Sequence, residues 1–197
     1  MLIDIHVHTG AHSSCSNIVL EEAVLRSKEI GLDGICITDH DSNAIMAEAQ
    51  RLSRKHGFLI IVGAEILTYE GDLLVFGLNE LPAGQMHAQE LIDLVSKQNG
   101  VCISAHPYRD NGRGMGDLIG EISGLSAVET FNGNTGWADN YQAFLLSQQL
   151  GIPCMGGSDA HRLEQIGRYA TRFIESIRNE HGFIKAVKGG KMSPVFE

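Results

Sequence analysis

Ile3-Asp4-Ile5-His6-Val7-His8-Thr9 opens the chain as an alternation of apolar and polar residues, the period-2 pattern of a β-strand. Its histidines stand at i and i+2, so both side chains leave the same side of the strand as it ends. Two imidazoles projecting together are natural neighbouring ligands of one divalent transition metal. Taken by itself, the pair could equally fill or cap the edge of a core. What favours a metal is the recurrence of His, Asp and Glu at the ends of later apolar runs.

Those runs follow in order. Gly34-Ile35-Cys36-Ile37-Thr38 empties into Asp39-His40-Asp41. Residues 58–62 are nearly all apolar, as in a strand buried on both faces, and end in Gly63-Ala64-Glu65. A hairpin is expected next, turning at Glu70-Gly71-Asp72 and returning through 73–77. Residues 101–105 lead at once to His106-Pro107-Tyr108-Arg109, residues 127–131 to Asn132-Gly133-Asn134, and residues 153–156 to Gly157-Ser158-Asp159-Ala160-His161.

Helices are expected between them over 18–30, 43–56, 87–98 and 138–150. Asn17 and Ser42 serve as N-caps of the first two, with Gly31 and Gly57 as stops. One helical turn is expected near 118–119, and a strand over 169–174 with a helix near 177–188 closes the chain. This alternation implies βα units and a largely parallel sheet. About seven units suggest a barrel, but 197 residues fall short of the roughly 250 of an eight-fold barrel. The expectation is one α/β domain over 1–197, a distorted, TIM-like (β/α)7 barrel.

The totals narrow the function. A net charge of −9 without a Lys/Arg cluster argues against a nonspecific nucleic-acid surface. No apolar run approaches the roughly 20 residues of a membrane span, and Met1 leads straight into a strand rather than a signal peptide. Cys15, Cys36, Cys102 and Cys154 form no CxxC pair, and three lie in apolar runs as small buried thiols. A cytoplasmic, reduced protein is the expectation.

In a βα barrel the residues after the strands meet on one face, where active sites form. That face would collect His6, His8, Asp39, His40, Glu65, His106, Asp159 and His161, whereas His56, His87 and His181 fall in helical segments and read as surface residues. Structural zinc sites more often show Cys pairs at short spacing. Mixed His and carboxylate ligands from scattered strands suit an open hydrolytic site, with a carboxylate bridging two metals.

The ordered blocks His6-x-His8, Thr38-Asp39-His40, Gly63-Ala64-Glu65, Ala105-His106-Pro107 and Gly157-Ser158-Asp159-Ala160-His161 resemble the PHP (polymerase and histidinol phosphatase) superfamily. The resemblance spans 4–161, and Ile166-Gly167 with Lys188-Gly189-Gly190-Lys191 looks like its small stand-alone members. It implies a distorted seven-stranded barrel with two or three divalent metals (Mn, Fe or Zn) and phosphoester hydrolysis. Carried over by position, His6, His8, Glu65 and Asp159 would hold one metal. Glu65 would bridge to a second on His106, and His40 and His161 would hold a third. Two positions depart from the pattern. Asp72 stands where members often supply a His, as a possible ligand or a plain polar turn residue. In the loop after the first strand, Ser14 sits near the usual ligand spacing and His12 two residues early, a ligand by loop shift or an exposed loop residue.

Arg109, and secondarily Arg162, are the candidates for a phosphate-oxygen contact, because a guanidinium matches that geometry; each could instead form a surface salt bridge. Asp39 or Asp41 could orient an imidazole or move a proton, and Glu129 and Asn132 end a strand facing the same pocket. The favoured reading is a metal-dependent phosphoesterase acting on a small phosphorylated metabolite or nucleotide. Competing readings are a nuclease-type phosphodiesterase on nucleic-acid ends and a non-catalytic metal-binding module. An amidohydrolase acting on C–N bonds is weaker, since no lysine stands at these strand ends for carbamylation.

Overall fold

The computed structural model describes residues 1–196. Ten strands are β1 (Leu2–Val7), β2 (Gly34–Ile37), β3 (Leu59–Val62), β4 (Ala64–Leu67), β5 (Asp72–Phe76), β6 (Val101–Ser104), β7 (Ala127–Asn132), β8 (Cys154–Gly157), β9 (Tyr169–Phe173) and β10 (Met192–Phe196). Five helices are α1 (Leu20–Glu29), α2 (Met46–His56), α3 (Ala88–Lys97), α4 (Trp137–Leu150) and α5 (Glu180–Gly189), with 3-10 turns at Gly116–Glu121 and Leu163–Gln165.

The strands form two five-stranded sheets, ordered β10-β9-β1-β2-β3 and β4-β5-β6-β7-β8. Each contains two parallel and two antiparallel pairs, so the expected largely parallel sheet holds for half the pairings. The cause is local. A hairpin turns β5 back along β4 without a crossover helix, so β5 runs against both its neighbours. Reversal also puts the first residue of β5, Asp72, level with the end of β6, where the Ala105 amide donates to the Asp72 carbonyl at 3.0 Å.

Two seams join the sheets, both at the strand ends where His, Asp and Glu gather. At one, Val7 bridges to Ala160, and the His8 amide donates to the Ala160 carbonyl at 3.0 Å. At the other, His40 bridges to Glu65, and Gly63 separates β3 from β4. A Cβ on Gly63 would lie 2.5 Å from the Val75 carbonyl oxygen, so only glycine passes this close to β5.

Burial sorts the apolar side chains into three layers. Ile3, Ile5, Ile61, Leu74, Ile103 and Met155, with Phe183 of α5, fill the space between the sheets. Val7, Ile35, Ile37, Val24 and Leu52 pack α1 and α2 onto the first sheet, and Val75, Val128, Leu91 and Val95 pack α3 onto the second. A register irregularity between Asp4 and Val7 lets Ile5 face the inner layer and Val7 the outer one.

Asp4 clips β1 to the segment that follows β8. Its Oδ1 accepts from the Ser158 amide at 2.9 Å and its Oδ2 from the Gly167 amide at 2.9 Å. Burial pushes its carboxyl up to about 6, against the pull of these amides. Asp4→Ala leaves buried donors unpaired and is expected to cost about 2–4 kcal/mol of stability, read by urea unfolding. An unchanged midpoint would mean that the clip is dispensable.

The helix starts differ from the sequence expectation. The N-caps of α1 and α2 are Val19 and Ile45, neither with a side-chain cap, and Asn17 and Ser42 lie outside the helices. Ser42 instead closes a local turn, accepting from the Ala44 amide at 3.3 Å. Strand β10 was not expected. It carries Pro194 and is the edge of its sheet, where a missing N–H is tolerated.

Candidate metal centre

His6 and His8 leave the end of β1 with their Nε2 atoms 3.0 Å apart. Glu65, at the start of β4, places Oε2 3.6 Å from His6 Nε2 and 3.3 Å from His8 Nε2. Asp159, two residues past β8, places Oδ1 3.4 and 3.2 Å from the same two nitrogens. Ligand atoms bonded at about 2.1 Å to one ion stand about 3.0 Å apart at a right angle and about 3.4 Å apart at the tetrahedral angle. The five separations match that spacing. The chemistry fits as well. One shared proton could reconcile two facing imidazole lone pairs, but four lone-pair donors converging in a buried space call for a multivalent cation.

The ring orientations are fixed from behind. His6 Nδ1 lies 3.0 Å from Glu129 Oε1, so this ring donates to a buried carboxylate and turns Nε2 toward the cluster. Glu129 Oε2 also accepts from the His106 amide at 3.0 Å. Gly157 makes room for this pairing, because a Cβ there would sit 2.5 Å from Glu129 Oε1. His8 Nδ1 is 3.3 Å from Ser13 Oγ, which donates to Asp39 Oδ1 at 2.8 Å.

Two further groups overlap the first. Glu65 Oε1 lies 2.8 Å from His106 Nε2, and Asp72 Oδ2 lies 3.7 Å from the same nitrogen. On the other side, His8, His40 and His161 bring ligand atoms within 4.8 Å of one another, and His40 Nδ1 stands 2.9 Å from Glu65 Oε2. His161 Nδ1 is 2.8 Å from the Asp159 carbonyl, which fixes the ring beside His8. Glu65 thus touches every ligand group but one end of the last, through two oxygens pointing in different directions.

Backbone strain marks the same place. Three of the four described non-glycine residues in the left-handed region, His106 (φ 29°), Asp159 (φ 52°) and Asp41 (φ 50°), follow strands of the cluster, and the fourth, Asn99, follows α3; the conformation is disfavoured for residues with a Cβ. Such strain persists where the surroundings enforce it and gathers at functional sites.

The electrostatics are those of a site short of positive charge. Burial would lower His6, but the carboxylates of Asp159, Glu129 and Glu65 outweigh it and raise the imidazole well above its usual 6.5. His8 is raised too, Asp159 and Glu65 prevailing over burial. Burial would raise Glu65 and Asp159, yet His6 and its neighbours hold both well below the usual carboxylate range. His6, His8, Glu65, His106 and Asp159 are at most 1% exposed, while the side chains of His40 and His161 are 31% and 23% exposed. The opening therefore lies on the His40–His161 side.

Two arginines from one loop stand at this opening. Arg109 Nη2 donates to Asn132 Oδ1 at 2.6 Å and pairs with Asp159 Oδ2, and its Nε reaches Thr135 Oγ1 at 3.3 Å. Arg113 grips Asp72 with both arms, Nε to Oδ2 at 2.6 Å and Nη2 to Oδ1 at 2.9 Å. Sequence reasoning passed over Arg113, whose segment shows no period and signals itself only by Gly112, Gly114 and Gly116.

Three sequence candidates, His12, Arg162 and Ser14, are not brought in, while Asp39 orients an imidazole. His12 is exposed on its loop and joins no group of possible ligands among the described residues. Arg162 is exposed and sits beside Asn17, Glu22 and Glu164, away from the cluster. Asp39 is buried, and its oxygens are taken by the Thr9 amide (2.6 Å), the Thr9 hydroxyl (2.7 Å) and Ser13, so it positions His8 through Ser13 rather than facing the opening. Ser14 is exposed, and the neighbouring Ser13 is the hydroxyl that reaches His8.

Comparison with known proteins bears on the fold. The PHP-associated family PHP_C matches residues 137–192. An uncharacterized protein of Methanocaldococcus jannaschii, MJ1587, is 34% identical over 107 residues, 54% of this chain and 61% of that relative. A probable phosphatase of Caldicellulosiruptor saccharolyticus is 29% identical over 225 aligned positions, 92% of this chain and 90% of the relative. Among solved structures, PsfC from Pseudomonas syringae superposes with a TM-score of 0.78 at 22% identity, covering 100% of this chain and 91% of its own. A Bifidobacterium adolescentis protein described as a candidate metal-dependent phosphoesterase superposes at 0.71 and 17%, covering 94% and 95%. The fold is shared with both. The PHP_C match covers the chain from α4 through α5, and the sequence blocks that resemble the PHP superfamily lie mostly outside it. A further relative, from Caldicellulosiruptor bescii, is also described as a probable phosphatase and is 28% identical over 203 aligned positions.

Proposed function

We propose that this chain is a metal-dependent phosphoesterase acting on a small phosphorylated metabolite or nucleotide. The observation that carries the reading is the set of five ligand-atom separations of 3.0–3.6 Å among His6, His8, Glu65 and Asp159. Those four residues would hold one divalent ion (Mn, Fe or Zn). Glu65 with His106 borders a second position beside Asp72, and His40 with His161 a third, giving two or three ions in all. When bound, such ions supply Lewis acidity toward a phosphoryl oxygen and acidify water toward neutral pH. The rest falls to the chain. Glu129 and Ser13 hold the His6 and His8 rings in place, and Arg109 at the opening receives a phosphate oxygen.

We read the fold as one domain, and its two five-stranded sheets as a distorted form of the expected (β/α)7 barrel. The net charge of −9 favours a small substrate over nucleic acid. A cytoplasmic setting goes with this reading, and no described helix is long and apolar enough to cross a membrane.

The test is hydrolysis of p-nitrophenyl phosphate and of its bis-ester, with Mn added and after chelation. Chelator-sensitive monoester cleavage is the expected result. Cleavage of the diester alone would transfer the reading to a nuclease-type phosphodiesterase, and full metal occupancy without turnover of either would favour a binding module. Arg109→Ala is expected to raise KM about tenfold to a hundredfold while bound metal is retained. Metal loss in that variant would show that Arg109 serves Asp159 rather than substrate.

A further inference from the structure

Arg113 bears on how many ions the centre holds. It comes from the loop after His106, and that loop is pinned. The Asp72 amide donates to the Arg113 carbonyl at 2.8 Å, and the Gly116 amide to the Pro107 carbonyl at 2.8 Å. A Cβ on Gly114 would lie 2.2 Å from the Pro107 carbonyl oxygen, and one on Gly71 would lie 2.7 Å from the Met115 nitrogen. Backbone and side chain of Arg113 are thus both fastened to Asp72. The third donor contact of the guanidinium runs to His40 Nδ1, with Nη2 at 3.4 Å.

We infer that the Arg113 guanidinium withdraws Asp72 from metal binding and supplies the positive charge at the Glu65–Asp72–His106 position, leaving an ion there more weakly held than at the first position. The inference rests on the metal reading above. A two-armed guanidinium–carboxylate pair uses the lone pairs of both oxygens that face the arginine. Asp72 Oδ2, the oxygen nearest His106 Nε2, is the one that accepts from Arg113 Nε. What remains for an ion there is Glu65 Oε1 and His106 Nε2, two donors, and a fixed cation behind Asp72 opposes a second. The position is therefore incomplete while the pair is closed. The first position is unaffected, because Arg109 pairs with Asp159 Oδ2 and leaves Oδ1, the oxygen that faces His6 and His8, to an ion.

Equilibrium dialysis against Mn, followed by metal analysis per chain, tests this without reference to turnover. At equal free Mn, Arg113→Gln is expected to hold about one more ion per chain than the wild type, or to bind its last ion at least about tenfold more tightly, since a like charge is removed from the low-dielectric site. Asp72→Asn in the wild-type background is expected to leave the ion count unchanged. The double variant should lose the gain, because the gained ion needs the freed carboxylate. Far-ultraviolet dichroism and melting confirm that each variant is folded, and Arg113→Lys, which keeps the charge but not the fork, should fall between wild type and Arg113→Gln. An ion lost on Asp72→Asn, or equal Mn in Arg113→Gln and wild type, would overturn the inference. No Mn in the wild type at any concentration would instead sink the metal reading beneath it.

Discussion

Glu65→Gln is expected to cut turnover by on the order of 10³-fold, about 4 kcal/mol at the transition state, and to remove metal that survives desalting in the wild type. Glu65 Oε2 faces His6, His8 and His40, and Oε1 faces His106. No other carboxylate in the cluster touches so many candidate ligands. An amide keeps the shape but offers one acceptor oxygen, and its NH2 faces ring nitrogens on one side or the other. One unit of the negative charge that would balance a bound cation is lost. Full metal content with full turnover in this variant would remove Glu65 from the centre.

The second large effect is in pH. Without an ion, protons supply the positive charge, and the carboxylates around His6 keep its ring protonated well above 6.5. A metal ligand must be neutral, so loading displaces at least one proton. Apparent affinity should then fall about tenfold per pH unit of acidification for each proton released. Stability follows with a definite sign. In the chelated chain, the contribution of the raised His6 is fully present below its unfolded value of 6.5 and lost as pH rises through the folded one. Those of Glu65 and Asp159 are present above their unfolded values and lost as pH falls through the depressed folded ones. A chelated chain should thus weaken on the alkaline side, where the loaded chain does not. Calorimetric titration with Mn in two buffers of different ionisation enthalpy reads the proton directly, and a heat independent of buffer would contradict this picture.

The strand ends were the legible part of the sequence. An apolar run followed at once by His, Asp or Glu is a local signal, and each of the five blocks delivered its side chain to one cluster. Helix starts were less legible, because Asn17 and Ser42 have the chemistry of caps but the chain enters α1 and α2 two to three residues later, at Val19 and Ile45. Hairpin reversal explains Asp72. As a turn residue it looked ambiguous, yet an antiparallel β5 puts a strand's first residue on the face where the other strands end. Arg113 was beyond reach of any periodicity, since contacts 41 residues away with Asp72 place it. His12 and Arg162 carried suitable chemistry beside the right blocks, but neighbouring positions in a loop share no constraint on direction.

The centre itself is tested most directly by metal analysis of the purified chain after loading with Mn and exhaustive desalting. At least one ion per chain is expected, lost in His6→Ala and Asp159→Ala variants that remain folded. A wild-type chain that retains none, or variants that retain as much as the wild type, would contradict the assignment of these residues to a metal.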